Sequence, residues 1–222
     1  IRFSDQENVT DWNSTADNSA GSLSIGSGSK IVTAIETRQQ ILVFTDISLH
    51  TLQYVGPPFT FGINMISDNI TIRGPSTVAA VQDTVYWMGK SEFYVYNGGV
   101  QTLPCSVKDY VFSDFNAAQA EKTFAAVNSA FSEVWWFYPS SSSDNNDRYV
   151  VYNYLQGIWY YGTMVRTAWI DRGVEENPIA AGRDGYLYNH EVGFDDGSTT
   201  PASAINAYIE SSQFDLGEGD SF

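Results

Sequence analysis

The residues that could carry chemistry are few and scattered. The chain has two histidines, His50 and His190, and one cysteine, Cys105. No H-x-x-x-H or C-x-x-C spacing brings them into a zinc pattern. One cysteine also rules out an intrachain disulfide. Its setting, Leu103-Pro104-Cys105, reads as a small buried hydrophobe and not a nucleophile. His190-Glu191 with Asp184 has the composition of an acid–base cluster, but the same residues fit a polar strand end beside a turn, and that is the expectation. Asp144-Asn145-Asn146-Asp147 and Asp195-Asp196-Gly197 are oxygen-rich loops of the kind that hold calcium, yet neither has the spaced EF-hand pattern with its distal Glu. They read as solvated loops, and Glu175-Glu176 as an exposed charge pair. No G-x-S-x-G, P-loop or Asp-box motif occurs. The expectation is a protein with no catalytic residue, no cofactor and no required metal.

Elements must position whatever these residues do, and here the pattern is stronger. Four blocks of aromatic-rich strand sequence recur: Ile41–Thr45 with Leu49–Val55, Thr84–Met88 with Glu92–Tyr96, Glu133–Tyr138 with Arg148–Tyr154, and Ile179–Ala181 with Tyr186–His190. Their polar breaks centre near Asp46, Lys90, Ser142 and Asp184, at steps of 44, 52 and 42 residues with a mean of 46. A period of roughly 40–50 residues with several short strands per unit predicts propeller blades. β-branched and aromatic runs such as Val85-Tyr86-Trp87-Met88 favour strands, and Gly89-Lys90-Ser91-Glu92 has the length of a tight hairpin turn. The fold class expected is all-β, with propeller-like antiparallel hairpin repeats in one domain over 1–222.

Other segments fill in around the blocks. Residues 1–30 are polar, and Ser22–Ser29 reads as a flexible connector. An alternating strand is expected over Lys30–Thr37, with Ile31, Thr33 and Ile35 on one face, and another over Ala204–Leu216. Ala117-Ala118-Gln119-Ala120-Glu121-Lys122 interrupts the β rhythm. It predicts a short helix near 115–123, capped by Ser113 or Asp114 and preceded by a helical turn at Val107–Phe112. Together these form an insertion over 107–124. Trp87, Trp135, Tyr152 and Leu187 are expected in blade cores. Trp136 should face away from Trp135, because strand side chains alternate. Trp136, Trp159, Tyr160 and Tyr161 are the candidate interface residues.

Composition restricts the partners. Net charge is −15, from 26 acidic and 11 basic side chains, which opposes phosphate-driven nucleic-acid binding. Hydrophobic content of 43% and aromatic content of 15% supply a large core. No run of about 18 apolar residues predicts a membrane span. The opening Ile1-Arg2-Phe3 without Met, and the stop after Phe222, suggest a portion of a longer chain.

The order of segments resembles a known family. Ser4-Asp5-Gln6-Glu7-Asn8 with Thr10-Asp11-Trp12 is similar to the "S-D-x-x-N…W" segment of tailed-bacteriophage tail nozzle and hub proteins, the head-to-tail stabilisation proteins. Ile41–Asp46, Leu52–Gly56 and Gly74-Pro75 through Gly89 resemble its following strands, and Gly98–Pro104 leads into its helical insertion. Arg148–Asn153 with Gly157-Ile158-Trp159 resembles its "Y-x-x-x-N…x-W" blade. The resemblance implies a structural virion protein assembled in the host cytoplasm, in homo-oligomeric rings, usually hexamers. Its neighbours would be portal and adaptor proteins and tail fibres or a needle. Genome DNA would pass its channel without specific binding. It offers no catalytic residues. A carbohydrate-binding or glycan-hydrolysing propeller, on a tail fibre or secreted, is the alternative.

Overall fold

Strands that bury both faces read as unbroken apolar runs, and the middle of the second and third repeats is built this way. The structure, a computed structural model, describes residues 1–195, 201 and 203–205. Two short strands, β1 (Arg2–Phe3) and β2 (Gly21–Ser22), pair first. The first large sheet is β3 (Ile31–Glu36), β4 (Ile41–Thr45), β5 (Leu49–Gly56) and β6 (Thr60–Ser67). The second is β7 (Val78–Val81), β8 (Thr84–Met88), β9 (Phe93–Tyr96) and β10 (Val100–Leu103). The third is β11 (Phe124–Asn128), β12 (Glu133–Tyr138), β13 (Arg148–Asn153) and β14 (Ile158–Thr163). The fourth has three strands, β15 (Ala168–Ile170), β16 (Ile179–Ala181) and β17 (Leu187–Asn189). Each is an antiparallel meander in chain order. The sheets begin at Ile31, Val78, Phe124 and Ala168, steps of 47, 46 and 44 residues. The first strands β3, β7, β11 and β15 adjoin in succession. Ala125 N donates to Ser76 O at 2.7 Å between the second and third sheets. Consecutive meanders of four, four, four and three strands with their first strands side by side make an all-β, propeller-like fold.

Three cores hold these sheets together, one at each junction. Leu42, Phe44 and Leu49 of the first sheet meet Val85, Trp87 and Tyr96 of the second. Tyr86, Met88 and Phe93 of the second meet Val134, Trp136, Tyr138 and Val150 of the third. Trp135, Phe137 and Val151 of the third take Trp169 of the fourth. Alternation sends Val85 and Trp87 one way, Tyr86 and Met88 the other. Trp135 and Trp136 face opposite ways as expected. Trp87, Trp135 and Tyr152 lie in these cores, whereas Leu187 does not: it is 74% exposed, on the face of the fourth sheet turned away from the third.

Other expectations shift by a residue or an element. A bulge between Ile31 and Thr33 breaks the alternation of β3. Val32 and Ile35 therefore pack inward and Ile31 is exposed. In the insertion, the α-helix is α1 (Lys108–Ser113), while Ala117–Lys122 is a 3-10 helix. The 3-10 helix is capped by Asn116, whose side chain accepts from Ala118 N, and not by Ser113 or Asp114. Asp114 instead pairs with Arg148 at 3.1 Å. Among the described residues no helix is long and apolar enough to cross a membrane.

Packing separates Ile1–His190 from a second unit, Glu191–Phe222. Among the described residues of the second unit an antiparallel bridge joins Asp195 to Ala204. The strand expected over Ala204–Leu216 lies largely outside the described residues.

The β8–β9 turn requires a glycine for space. A Cβ at Gly89 would stand 2.5 Å from Tyr94 Cε2, 2.7 Å from Thr71 Oγ1 and 2.9 Å from the backbone oxygen of Glu92. The backbone cannot yield as a side chain would. Gly89→Ala is expected to cost about 1–3 kcal/mol by overpacking, measured as a fall in the urea midpoint. An unchanged midpoint would show that the turn relaxes freely.

Candidate functional site

The end of the first unit carries a cleft. It has a volume of about 520 Å³ and is lined by Val165, Arg166, Gly182, Arg183, Asp184 and Tyr188. Backbone bonds fix its walls. Thr167 N donates to Ala181 O at 2.9 Å, which lays the segment before β15 along β16. Gly182 N donates to Tyr186 O at 2.9 Å and closes the turn between β16 and β17. Gly185 in that turn has φ +86°, a left-handed conformation that L side chains adopt only with strain. Tyr186 N donates to Asp184 Oδ1 at 3.2 Å. His190 N donates to Pro178 O at 2.8 Å, which seats the imidazole after β17.

Arg166 organises the cleft. Its Nε donates to His190 Nε2 at 3.0 Å, and its Nη1 donates to Val165 O at 2.8 Å. Its guanidinium lies over the Tyr188 ring at 4.3 Å. The Tyr188 hydroxyl donates to Asp184 Oδ2, and this bond holds the carboxyl below its ordinary pKa. His190 also packs on Trp169, with ring centroids 4.6 Å apart. Asp184 thus lines the cleft while His190 touches it only through Arg166, and the two bond to different partners. His190 Nε2 is occupied as an acceptor, so the pair is not assembled as a carboxylate–imidazole dyad.

Burial, and then the Arg166 charge, push the His190 pKa down to about 4. The folded ring stays neutral where the unfolded ring, near 6.5, takes a proton. Stability is therefore complete above pH 6.5 and falls as pH drops toward 4. After discounting for the ring's partial exposure, the loss is about 1–2 kcal/mol. Burial lowers the His50 pKa too, so it acts in the same direction. Thermal melts between pH 7 and 4.5 should show a declining midpoint, and His190→Gln should flatten most of the slope. An equal slope in the variant would assign the effect elsewhere.

The candidate interface residues separate. Trp136 is fully buried between the second and third sheets, with Nε1 donating to Thr77 O at 3.0 Å, so it cannot meet a partner. Trp159 is half-buried, stacked on Trp136 at 5.9 Å and bonded through Nε1 to Pro104 O at 2.8 Å. Tyr160 is half-buried and donates its hydroxyl to Glu133 Oε1. Of the four only Tyr161 is exposed, and it stacks on Tyr110 at 4.0 Å. The aromatic surplus that points to an interface in the sequence is absorbed by three inter-sheet cores. The exposed apolar side chains of the fourth sheet, Ile170 and Leu187, are not among the candidate interface residues read from the sequence.

The oxygen-rich loop of 144–147 is tied down by protein groups. Lys122 Nζ donates to Asp144 O at 2.5 Å and to Asn145 Oδ1 at 3.5 Å. Asp147 accepts from Ser140 N and Oγ, both at 2.7 Å. An ammonium therefore sits among the oxygens that a cation would use. The second such loop reaches Asp196, outside the described residues. His50 is a core residue, 4% exposed. Cys105 is half-buried, and burial pushes its thiol up to about 11, which keeps it protonated and unreactive.

A second cleft, of about 550 Å³, lies between the N-terminal segment and the β5–β6 hairpin, lined among others by Asp5, Glu7, Asp17, Tyr54 and Pro58. Here the segment 4–12 bonds within itself and to Asn18 and Ser19. Asp5 Oδ1 accepts from Ser19 N at 2.8 Å and Ser19 Oγ at 2.7 Å, and Asn8 Oδ1 accepts from Thr10 Oγ1 at 2.7 Å.

No protein-family model matches the chain, and no curated protein sequence matches it. Solved structures show a distant likeness. Hsv2 of Kluyvelomyces marxianus aligns with a TM-score of 0.47 and 8% identity, over 85% of this chain and 56% of that one. PorZ of Porphyromonas gingivalis aligns with a TM-score of 0.38 and 11% identity, over 74% of this chain and 27% of that one. The N-terminal domain of Nup159 aligns with a TM-score of 0.34 and 8% identity, over 71% of this chain and 60% of that one. The chain spans less than two thirds of the length of each, and no function passes from them to it.

Proposed function

We propose that the chain is a structural, propeller-type component of a tailed-phage tail nozzle or hub, which assembles into a homo-oligomeric ring. One observation supports this reading beyond the sequence resemblance. In the fourth sheet, register puts Ala168, Ala181 and Leu187 on the same face as Ile170 and Ile179, opposite Trp169, Ala180 and Tyr188. The Trp169 face packs on the third sheet. Among the described residues of the first unit no sheet covers the other, where Ile170 is 66% and Leu187 74% exposed. In the first three sheets the corresponding face is covered by the next sheet. The open face has the apolar character of a surface made to be covered, and a ring of head-to-tail copies covers it once per subunit. The net charge of −15 suits a channel that passes DNA without trapping it. In this role the ring, most simply a hexamer, sits below portal and adaptor proteins, carries fibres or a needle, and performs no catalysis.

Mass photometry of the purified protein tests it. The wild-type chain should give a discrete oligomer, and Ile170→Glu with Leu187→Glu should reduce it to monomer while leaving the melting temperature within a few degrees. A wild-type monomer at micromolar concentration, or an oligomer indifferent to both substitutions, would count against the ring. The alternative is a glycan-binding or glycan-hydrolysing propeller. The N-terminal cleft favours it, because Tyr54 offers a 65% exposed ring beside Asp17 and Glu7. Sugar affinity lost in Tyr54→Ala would support that reading.

A further inference from the structure

We propose that the outward face of the first sheet is the seat for the fourth sheet of a second copy, and that the N-terminal segment occupies this seat in the free subunit. The inference rests on the ring reading and names the partner of its open face. The three inter-sheet junctions are of one kind. Leu42 and Phe44 of β4 face the next sheet, as do Tyr86 and Met88 of β8 and Trp135 and Phe137 of β12. Val85 and Trp87 face the previous sheet, as do Val134 and Trp136. Among the described residues of the first unit two faces are left over. The Ile170–Leu187 face of the fourth sheet is of the next-facing kind. The other is of the previous-facing kind. Register puts Val43, His50, Leu52, Ile63 and Met65 on it, opposite Leu42 and Phe44, and it shares none of the three cores. The two faces are the halves of one more such junction, and a head-to-tail contact between copies joins two different halves.

This seat is not bare. Val43 is 2% and His50 4% exposed although no sheet lies over them, and the cover is the chain of 19–29. At one end Thr60 Oγ1 donates to Ser19 O at 3.2 Å. At the other, Ser48 Oγ donates to Ser27 O at 3.3 Å, and Asp46 accepts from Ser29 N at 2.8 Å and Ser29 Oγ at 2.6 Å. A Cβ at Gly28 would stand 2.4 Å from Thr45 Oγ1, so the backbone itself lies on the sheet. Between the anchors Leu23 and Ile25 are half-buried and Ser22, Ser24 and Gly26 exposed, the alternation of an extended chain laid on a surface. The cover is thin. Each internal junction buries a tryptophan, Trp87, Trp136 or Trp135, whereas this span offers Leu23 and Ile25 on a Ser- and Gly-rich backbone. Segments with few buried apolar contacts open at low free energy. A seat that is open only part of the time weakens its partner's apparent affinity by that fraction. The segment therefore shields the seat in the lone subunit and yields it to a neighbour's sheet.

Mass photometry of the intact chain across a concentration series tests this. Asp46→Ala removes the anchor to Ser29, and Leu23→Asp with Ile25→Asp removes the apolar contacts of the cover. Each should lower the concentration of half-assembly by roughly tenfold, the release of a seat that is closed most of the time. Asp46 lies in a turn outside the cores, so its variant keeps the test sound even if the other unfolds. A synthetic peptide of residues 19–29 should dissociate the oligomer of either variant, and the same peptide with Leu23→Asp and Ile25→Asp should not. Adding Ile170→Glu with Leu187→Glu should abolish the gain. Assembly no stronger than wild type in both cover variants, or indifferent to the peptide, overturns the cover. A wild-type oligomer that still dissolves with Ile170→Glu and Leu187→Glu would then leave the ring standing. A gain that survives those two substitutions overturns the pairing of the two faces. Monomers throughout overturn the ring and the cover together.

Discussion

Trp136→Ala is expected to lower the melting temperature by roughly 6–20 °C. The side chain is fully buried. It meets Phe93 at 5.0 Å and Trp159 at 5.9 Å between ring centroids, so it joins the second sheet to the third. Its indole N–H reaches Thr77 O at 3.0 Å, a bond across the same junction. Removing a buried Trp side chain costs about 3–5 kcal/mol through lost transfer energy and the cavity left behind. For a chain of this size each kcal/mol shifts the midpoint by about 2–4 °C. Trp136→Phe should cost less, because Thr77 O also accepts from Met88 N at 3.2 Å and is not left without a donor. Differential scanning fluorimetry of the two variants measures both effects. If Trp136→Ala melted like wild type while losing an oligomer, the residue would be an interface side chain after all, against its burial.

Legibility in the sequence follows burial. The four strand blocks correspond to β4–β5, β8–β9, β12–β13 and β16–β17, the hairpin inside each repeat. In the three full sheets these are the central strands, and in the second and third they are covered by a sheet on either face, so their runs are apolar. The flanking strands β7, β10 and β11 are four or five residues long with mixed exposure, and Val78–Val81 or Phe124–Asn128 has too little pattern to separate from a loop. The same two-sided burial misled the choice of interface. Trp135-Trp136-Phe137 looks like more aromatic surface than one core can use, and this holds for a sheet with one covered face. With a sheet on either side, Trp135 and Trp136 serve different cores. Leu187 failed for the converse reason. Its strand is the last of the fourth sheet, and among the described residues no sheet covers the face it points to. The Arg166–His190 bond joins residues 24 positions apart, and no spacing rule connects an arginine to a histidine as its acceptor.

Glu133 gives the other large effect. It is 8% exposed at the start of β12. Its Oε2 accepts from Trp135 Nε1 at 2.8 Å and from Asn128 Nδ2 at 3.5 Å, and its Oε1 accepts from the Tyr160 hydroxyl. A buried carboxylate is tolerated when donors surround it, and here they come from β11, β12 and β14, which it ties across the third sheet. Glu133→Ala leaves those donors without their acceptor, and each buried donor so stranded costs about 1–3 kcal/mol. A total of roughly 2–4 kcal/mol is expected, since Tyr160 is half-exposed and can turn to water. Glu133→Gln keeps the shape but places an NH2 against a donor, so it should be intermediate. Tyr160→Phe alone removes one donor and should cost under about 1.5 kcal/mol. In the double variant Glu133→Ala with Tyr160→Phe the losses should not add, because the second change removes a group the first had stranded. Urea denaturation of the four proteins measures the coupling. Additive losses would show that the Tyr160 hydroxyl does not depend on Glu133. It would then be free to face a neighbouring subunit, as its sequence alone had implied.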